Sequence, residues 1–378
     1  MHYIRSLDGL RAVAILLVIF FHFFFVLEVG WIGVQLFFVL SGFLITSILM
    51  KSKSYTFGPY VKRFYWRRSV RIFPLYYLYL LGVALLFLLI RQPDTFPQKA
   101  PYLFTYTFNL APLFIGYDFD AFFTHFWSLA VEEQFYMVWP FVIFFLSQKQ
   151  LKWVLPGIMI VSPLARYFFC HWIEAQGIYP EEVIGEIVYR FTLSHLDAFA
   201  FGALIPVWGL HKKIQKPGKG FLWALGLVLL AGLSNYYFLK QDGVQLGISS
   251  LGFPIGGTAN YQHVWSYTLL NFFSMMFILL LINPSGWGGK VAKVLENSFL
   301  VMIGKISYGM YLYHWVIFVF HKKLLHAYMP NMFLSFLAYF LIVLLVSLMS
   351  YHAFEKRLLQ LKDYTFAKKK KPEKVLEG

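Results

Sequence analysis

Long apolar runs recur along the whole chain, and short polar segments separate them. A transmembrane helix needs about 20 mostly apolar residues to cross the hydrocarbon core. Ten runs are close to that length: 10–28, 32–50, 72–90, 128–147, 153–171, 193–210, 221–239, 264–283, 299–320 and 333–353. The pattern predicts an all-α integral membrane protein, a bundle of about ten transmembrane helices. The sixth run fits least well, because His195 and Asp197 interrupt it.

The composition agrees with that pattern and excludes a soluble globular protein. Of the 378 residues, 59% are hydrophobic and 13% are charged, which leaves too little polar surface to face water. The first run is too long for a cleaved signal peptide and no small-x-small site follows it, so we expect a permanent span. Cys170 is the only cysteine, so neither an internal disulfide nor a cysteine metal site is expected.

The net charge of +15 is first a signal of membrane topology. In the ten-helix arrangement, 26 Lys and Arg residues fall on the side of the two termini and 6 on the opposite side, with Arg166 inside a run. Basic residues accumulate in cytoplasmic segments. Both termini are therefore predicted to be cytoplasmic, in the plasma (inner) membrane, and no nucleic-acid partner is expected.

One domain is predicted over residues 1–355, the transmembrane bundle itself. Residues 356–378 form a basic, polar tail, which is expected to be disordered in the cytoplasm. Its lysine run, 368–371, is typical of a contact with lipid headgroups that fixes the end of a span. No internal repeat of the kind found in inverted-topology transporters is visible.

Two polar residues, Arg11 and His22, bracket the apolar stretch RAVAILLVIFFH. They are eleven positions apart, which on a helix places them on one face, roughly 16 Å apart along the axis. Arg11 then lies near the cytoplasmic surface and His22 beyond the midplane. Arg11 alone could be a snorkelling anchor, and His22 alone could pack among phenylalanines. The shared face favours function, because a buried imidazole is neutral and able to accept a proton.

A basic segment, YVKRFYWRRSVRIFPLYY (60–77), lies just before the third run. Arg67 and Arg71 are four apart and share a helix face, and Arg68 lies between them. Guanidinium groups bind phosphate through paired hydrogen bonds. Two interpretations stay open: a topology signal that binds anionic lipid, or a site for a phosphorylated cytoplasmic cofactor.

The fourth run opens within HFWSLAVEEQFYMVWP (125–140). His125 and Glu132 are seven apart, so they lie on one helix face about 10 Å apart along the axis. A carboxylate that faces lipid is hard to tolerate, so Glu132 is expected to point into the bundle. There it would orient a histidine of another helix, bind a hydroxyl substrate, or bridge helices through hydrogen bonds.

Two further polar groups, in SHLDAFAFG (194–202) and GKISYGMYLYHW (304–315), are individually more typical of structural roles. Several catalytic patterns do not occur in the sequence. It has no GxxxxGK[ST] loop of nucleotide hydrolases, no HExxH or other compact metal motif, and no GxSxG nucleophile elbow. We therefore expect no bound metal.

Five motifs, in order along the chain, resemble those of the acyltransferase 3 family of integral membrane acyltransferases, which acylate hydroxyls on glycans, lipids and small molecules. The opening LDGLRAVAILLVIFFH is similar to the family's Arg-x10-His signature, at Arg11 and His22. The other four are GVQLFFVLSGFLIT (33–46), RRSVRIFPLYY (67–77), FWSLAVEEQFYMVWP (126–140) and ISYGMYLYHW (306–315).

The sequence departs from the family at three points. Many members have Asp where Gln35 stands and Arg where His195 stands, so no role is carried over to these two positions. Some members append an extracytoplasmic hydrolase-like domain after the spans. This chain ends soon after its tenth run, so it is expected to act without that domain.

The resemblance implies a membrane-bound O-acyltransferase. It would take an acyl group, commonly acetyl, from cytoplasmic acyl-CoA to a hydroxyl of a glycan, lipid-linked sugar or other envelope acceptor. His22 would act as general base or as transient acyl carrier, with Glu132 orienting the imidazole or the acceptor. The nucleotide phosphates would be held by Arg67, Arg68 and Arg71, with Arg11 steering the donor. Residues expected to bind substrate or support the site are Ser41, His125, Ser128, Tyr136, Asp197 and His314.

Two other classes of function stay open. A transporter or flippase for a glycan or lipid would also contain ten spans and buried polar residues. The lack of repeat symmetry, and the register of Arg11 and His22 beside a basic patch, favour the enzyme instead. A structural or sensing protein that binds anionic lipid through its basic face is the third possibility.

Overall fold

The computed structural model consists of helices joined by short turns and describes residues 3–24, 27–90, 96–117, 122–325, 328–329 and 331–367, with no strand among them. Its α-helices are α1 (Arg5–Phe24), α2 (Ile32–Ser52), α3 (Phe57–Ile90), α4 (Phe96–Phe104), α5 (Pro112–Ile115), α6 (Phe126–Phe145), α7 (Gln148–Gln176), α8 (Glu181–Arg190), α9 (Leu196–Val207), α10 (Leu210–Lys213), α11 (Gly218–Gln241), α12 (Gln262–Ile282), α13 (Trp287–Leu295), α14 (Ser298–Leu324), α15 (Met332–Ser350) and α16 (Lys356–Ala367). A π-helical turn, Tyr351–Glu355, joins α15 to α16.

Seven helices in the described part of the chain are long and apolar enough to cross a membrane: α1, α2, α3, α7, α11, α12 and α15. Helices α6 and α14, the predicted fourth and ninth spans, contain 20 and 27 residues, but they fall outside that set. The chain is a multi-pass membrane protein. The total of ten spans and the cytoplasmic termini stay predictions.

The predicted sixth span differs most from the structure. Instead of a run over 193–210, a 3₁₀ turn leads into α9, which has only 12 residues. At 1.5 Å per residue α9 is about 18 Å long, well short of the roughly 30 Å hydrocarbon core. All of it except Leu196 and Pro206 is buried, so α9 packs inside the bundle rather than against lipid.

The third span is longer than predicted. Helix α3 begins at Phe57 and contains 34 residues, about 51 Å, so the basic segment and the apolar run are one continuous helix. Hydropathy falls where the arginines begin, so the apolar run at 72–90 covers only part of the helix, although arginine is a good helix former.

Part of the predicted disordered tail is helical, which corrects that expectation. Residues 356–367 form α16, which packs against α3, and this contact with a long helix orders the segment. The lysine run at 368–371 lies outside the described residues.

Helix α2 packs most extensively against α9, and α1 against α14. At the first crossing, Gly42 of α2 faces the backbone of Phe199, and Gly202 of α9 faces the backbone of Val39. A methyl group at either glycine would collide with the opposing main chain. At the second crossing, Gly304 of α14 lies against the backbone of Asp8. Small residues let membrane helices approach this closely, and the two crossings set the walls of the site.

Candidate active site

A cavity opens between α1, α2, α3, α6 and α14, and its empty space, including the part open to solvent, is about 880 Å³. Its lining consists of Arg11, Val34, Phe37, Phe38, Ser41, Leu44, Ile45, Arg68, Arg71, Ile72, Ser128, Leu129, Glu132, Glu133, Tyr136, Ser307, Tyr308 and Tyr311. All five resembled motifs therefore contribute to the wall at residues far apart in sequence, and the first contributes Arg11 alone.

Arginines form the cationic part of the wall. Arg11 donates from Nη1 to Oδ1 of Asp8 over 2.8 Å, and Asp8 also accepts the hydroxyl of Tyr3 at 2.5 Å. Asp8 is buried, and about a fifth of the Arg11 side chain is exposed (21%). The carboxylate thus holds Arg11 in one orientation while leaving part of its guanidinium accessible.

Of the arginines of α3, Arg68 and Arg71 line the cavity and are three positions apart, whereas Arg67 is not part of the lining. The prediction paired Arg67 with Arg71 on one face. Three-residue and four-residue spacings both place side chains on neighbouring parts of a helix, and the packing of α3 selects the former. The Arg68 guanidinium lies 5.2 Å from the ring centroid of Tyr136, and Arg71 is exposed.

Glu132 lies in the cavity with two hydroxyls bound to it. Ser41 and Tyr136 both donate to its Oε1, and the Tyr136 hydroxyl is 3.2 Å from Oγ of Ser41. The carboxylate thus joins α2 to α6 and presents an acceptor group to the cavity. Glu133, which is buried, also lines the wall.

The opposite wall joins α6 to α14. The hydroxyls of Ser128 and Tyr311 are hydrogen-bonded to each other, and either can be the donor. Each also lies 3.1 Å from the carbonyl oxygen of His125, which accepts from the hydroxyl that is free to donate. His125 itself is buried, with its Nε2 3.2 Å from the carbonyl oxygen of Leu312. These bonds fix the start of α6 against the middle of α14.

His22 does not line the cavity, but it lies on the side of α1 that faces α14, as Arg11 does. Its Nδ1 is 3.2 Å from Nε2 of His314, and its ring meets the edge of Trp315 at a centroid distance of 4.6 Å. Its partner is therefore His314, whereas Glu132 binds Ser41 and Tyr136. The suggested pairing of Glu132 with an imidazole is not present, which leaves Glu132 available for an acceptor.

Three histidines meet beside the cavity. The ring centroid of His314 lies 5.1 Å from that of His22 and 5.2 Å from that of His125. Tyr311, at the cavity wall, is one helical turn from His314 and accepts a hydrogen bond from it through its carbonyl, over 2.6 Å. In the described part of the chain, no group of three or more His, Cys, Asp or Glu residues is arranged to hold a metal ion.

The family of the chain follows from comparison with known proteins. A family model described as an acyltransferase domain matches residues 4–352. The chain belongs to the acyltransferase 3 family. This confirms the resemblance drawn from the five motifs.

Relatives of this acyltransferase 3 protein include the O-acetyltransferase OatA of Staphylococcus aureus strains NCTC 8325 and COL. Each is 30% identical over 338 residues, which cover 84% of this chain and 51% of the relative. The chain therefore spans about half the length of the curated relatives it matches. No solved structure was found to match it.

Asp197 lies outside the cavity of this family member, in a buried ion pair. Its Oδ2 is 3.1 Å from Nη1 of Arg166 and accepts the Thr268 hydroxyl at 2.6 Å, while Oδ1 accepts from Asn271 at 3.1 Å. Neither charged side chain is exposed. Asp197 thus joins α7, α9 and α12, which is a structural arrangement.

The two positions at which this sequence departs from many acyltransferase 3 members contact each other. Nε2 of Gln35 lies 3.1 Å from Nδ1 of His195, and Nε2 of His195 bonds the carbonyl of Tyr189. Both side chains are buried. A neutral amide–imidazole pair therefore occupies the place where those members have Asp and Arg.

Asp8 and Glu133 are site residues that sequence reasoning missed. Asp8 is three positions before Arg11, a spacing that pairs opposite charges on a helix, so that signal was available. Glu133 adjoins Glu132 and was not singled out. Two successive carboxylates in an apolar run both need a polar surrounding, which would have indicated a polar cavity beside this part of α6.

Proposed function

We propose that this chain is a membrane-bound O-acyltransferase of the plasma membrane, with both termini in the cytoplasm. It would move an acyl group from acyl-CoA to a hydroxyl of a glycan, lipid-linked sugar or other envelope acceptor. Family membership supports acyl transfer, and the name of the OatA relatives supports acetyl as the group moved. The observation that carries the proposal is one cavity in which Arg68 and Arg71 of α3 meet Arg11 of α1, the helix that also carries His22.

The arginines suit the charged end of the donor. Arg68, Arg71 and Arg11 project into one space, and guanidinium groups bind phosphate oxygens through charge-assisted hydrogen bonds. Arg71 is exposed, so the nucleotide can stay near the aqueous surface while the narrow pantetheine arm enters the bundle. Arg67, which is also predicted from the sequence to hold the phosphates, lies outside the cavity lining and is assigned a minor part.

The distance from Arg11 to His22 suits the long, narrow pantetheine arm of the donor. Along α1 it is roughly 16 Å, and the apolar residues Val34, Phe37 and Leu44 line the cavity. Ser128 and Tyr311 also line it, and Tyr311 is one helical turn before His314. The thioester would then lie at the end of the cavity nearest to the histidines.

Two routes use His22 at that point. As a general base, it takes the proton of the acceptor hydroxyl while the hydroxyl oxygen forms the new ester bond and the C–S bond breaks; the proton then passes to the CoA thiolate. As an acyl carrier, His22 forms the C–N bond first and the acceptor hydroxyl displaces it. In either route Glu132, with Ser41 and Tyr136, offers hydrogen bonds to the acceptor.

Membranes that contain the protein, incubated with labelled acetyl-CoA, test this function. We expect label in glycan or lipid, none with His22→Ala, and unchanged protein level and acetyl-CoA binding in that variant. His171→Ala is the matched control, since His171 is exposed on α7. Full activity of His22→Ala would overturn the mechanism, and movement of substrate without covalent label would favour a transporter. Label retained on the protein in the absence of acceptor would select the carrier route.

A further inference from the structure

The hydrogen bonds around His314 define where its proton lies. Its Nδ1 is 2.6 Å from the carbonyl oxygen of Tyr311. A carbonyl oxygen only accepts, so Nδ1 of His314 carries a hydrogen. A neutral imidazole has one N–H, so Nε2 of His314 is left as an acceptor.

The ring of His314 is neutral because its surroundings offer no counter-charge. It is fully buried (0% exposed), and its ring neighbours are His22, His125, Tyr311 and Trp315. Among the residues that the structure describes, no carboxylate is hydrogen-bonded to it. A buried charge without a partner is costly, which excludes the imidazolium in the resting protein.

The proton on His22 follows from that of His314. Nε2 of His314 and Nδ1 of His22 are 3.2 Å apart, and such a contact needs one hydrogen between the two nitrogens. Because Nε2 of His314 is an acceptor, the hydrogen belongs to Nδ1 of His22. The remaining nitrogen of His22, Nε2, then carries the free lone pair.

We infer that His314 is a positioning residue that holds His22 as its Nδ1–H tautomer and makes Nε2 the reacting nitrogen. The inference rests on the proposed function for its catalytic meaning, but the tautomer itself does not. When Nε2 takes the acceptor's proton, the positive ring keeps its Nδ1–H bond to His314, which stabilises the charge. When Nε2 takes the acyl group and CoA leaves as thiolate, the positive acylated ring keeps its Nδ1–H bond to His314 until that proton passes to the thiolate, which leaves a neutral acyl-imidazole and the CoA thiol.

The backbone keeps this arrangement in register. Helices α1 and α14 approach closely where Gly304 meets Asp8, so the helix that carries Arg11 and His22 cannot slide past the one that carries Tyr311 and His314. The Tyr339 hydroxyl of α15 also donates to the carbonyl of His314, over 3.1 Å. The wall of the cavity at Tyr311 is thereby linked to His22 through two successive hydrogen bonds.

Two substitutions of similar size separate this role from packing. In His314→Gln the amide oxygen can reach the position of Nε2 and accept from His22. In His314→Asn the shorter amide can replace only the bond to the Tyr311 carbonyl. Orienting partners of this kind are worth about 10–100-fold in activity, and up to ~10⁴-fold where the tautomer itself is lost.

We expect His314→Asn to lower kcat at least tenfold with KM for acetyl-CoA unchanged, and His314→Gln to recover most of that loss. Equal activity of the two variants, whether high or low, would overturn the inference, provided that unfolding temperatures in detergent match the wild type. His22→Ala in the same assay separates the two proposals. If it is inactive while both His314 variants behave alike, only the positioning role fails; if it is active, the His22 mechanism fails and the positioning role fails with it. Absence of acetyl transfer by the wild type would overturn the proposed function itself.

Nitrogen NMR of ¹⁵N-histidine-labelled protein in lipid tests the tautomer without any activity. The His22 signals are identified by subtracting the spectrum of His22→Ala. We expect a protonated Nδ1 and an unprotonated Nε2 in the wild type, and loss of that preference in His314→Asn. A protonated Nε2 on His22 in the wild type would contradict the inference directly.

Discussion

Arg166 and Asp197 show how a single residue pair can decide whether this bundle folds. Both side chains are fully buried and share the hydroxyl of Thr268. Replacing Asp197 by Asn leaves the Arg166 charge uncompensated, and breaking a buried pair in this way costs about 3–5 kcal/mol. We expect a much lower unfolding temperature in detergent and reduced protein in the membrane.

The control for that pair is an exposed one. His171 and Glu174 on α7 are 2.9 Å apart with both side chains open to solvent, and exposed pairs contribute about 0–1 kcal/mol. Glu174→Gln should therefore leave the unfolding temperature nearly unchanged. Joint replacement, Arg166→Met with Asp197→Leu, should recover part of the loss. If Asp197→Asn is as stable as Glu174→Gln, the ion pair has no structural role.

The three arginines of α3 give a second prediction at this scale. Arg68→Gln and Arg71→Gln each remove a charged hydrogen-bond donor from the cavity, worth about 1.5–3 kcal/mol. We expect KM for acetyl-CoA to rise at least about tenfold in each variant with a smaller change in kcat. Arg67→Gln, outside the cavity lining, should change KM less than threefold. A larger effect at Arg67 than at Arg68 would place the donor on another face of α3.

Sequence alone predicted Arg11, His22 and Glu132 as polar groups of a common site, because charged and imidazole side chains are costly in an apolar run and are expected to face the interior of the bundle. It did not predict which of them touch. His314 is 292 positions from His22, and only the packing of α14 on α1 brings the two rings together. Likewise, helical spacing allowed both Arg67 and Arg68 to face inward, and the rotation of α3 about its axis is a tertiary property.

At the scale of whole helices, the α2–α9 crossing is the contact most sensitive to a single methyl group. Gly42→Ala or Gly202→Ala would force two main chains apart, and overpacking a tight interface typically costs 1–3 kcal/mol. Because α2 also carries Ser41, we expect lower activity together with a lower unfolding temperature. Gly226→Ala is the matched control, since a methyl group there meets nothing within 4 Å and alanine favours a helix.

Helices α9 and α3 show why the lengths of helices are harder to predict from the sequence than their positions. Apolarity located α9 but overestimated its extent, since a helix buried in the bundle need not match the thickness of lipid. For α3 the error was opposite, because the helix continues past the apolar run through residues 57–71. Hydropathy indicates whether a segment lies in an apolar environment or in water, whereas hydrogen bonding and packing decide where the helix begins and ends.

For the molecule as a whole, the predicted orientation can be tested because Cys170 is the only cysteine. In a Cys170→Ala background, Ser54→Cys and Gln245→Cys each place one thiol at an exposed position, on opposite sides of the predicted membrane. We expect an impermeant maleimide to label Gln245→Cys in intact cells and Ser54→Cys only after permeabilisation. The reverse pattern would invert the charge-based topology, and labelling of both in intact cells would exclude the odd number of spans, five, that is predicted between them.

The Gln35–His195 contact makes the two positions unequal in the single changes that the interior can accept. Asp at position 35 is tolerable, since the His195 imidazole can take up a proton beside the carboxylate. Arg at position 195 would leave a buried cation beside a neutral amide. His195→Arg therefore needs Gln35→Asp with it, whereas Gln35→Asp can be made alone.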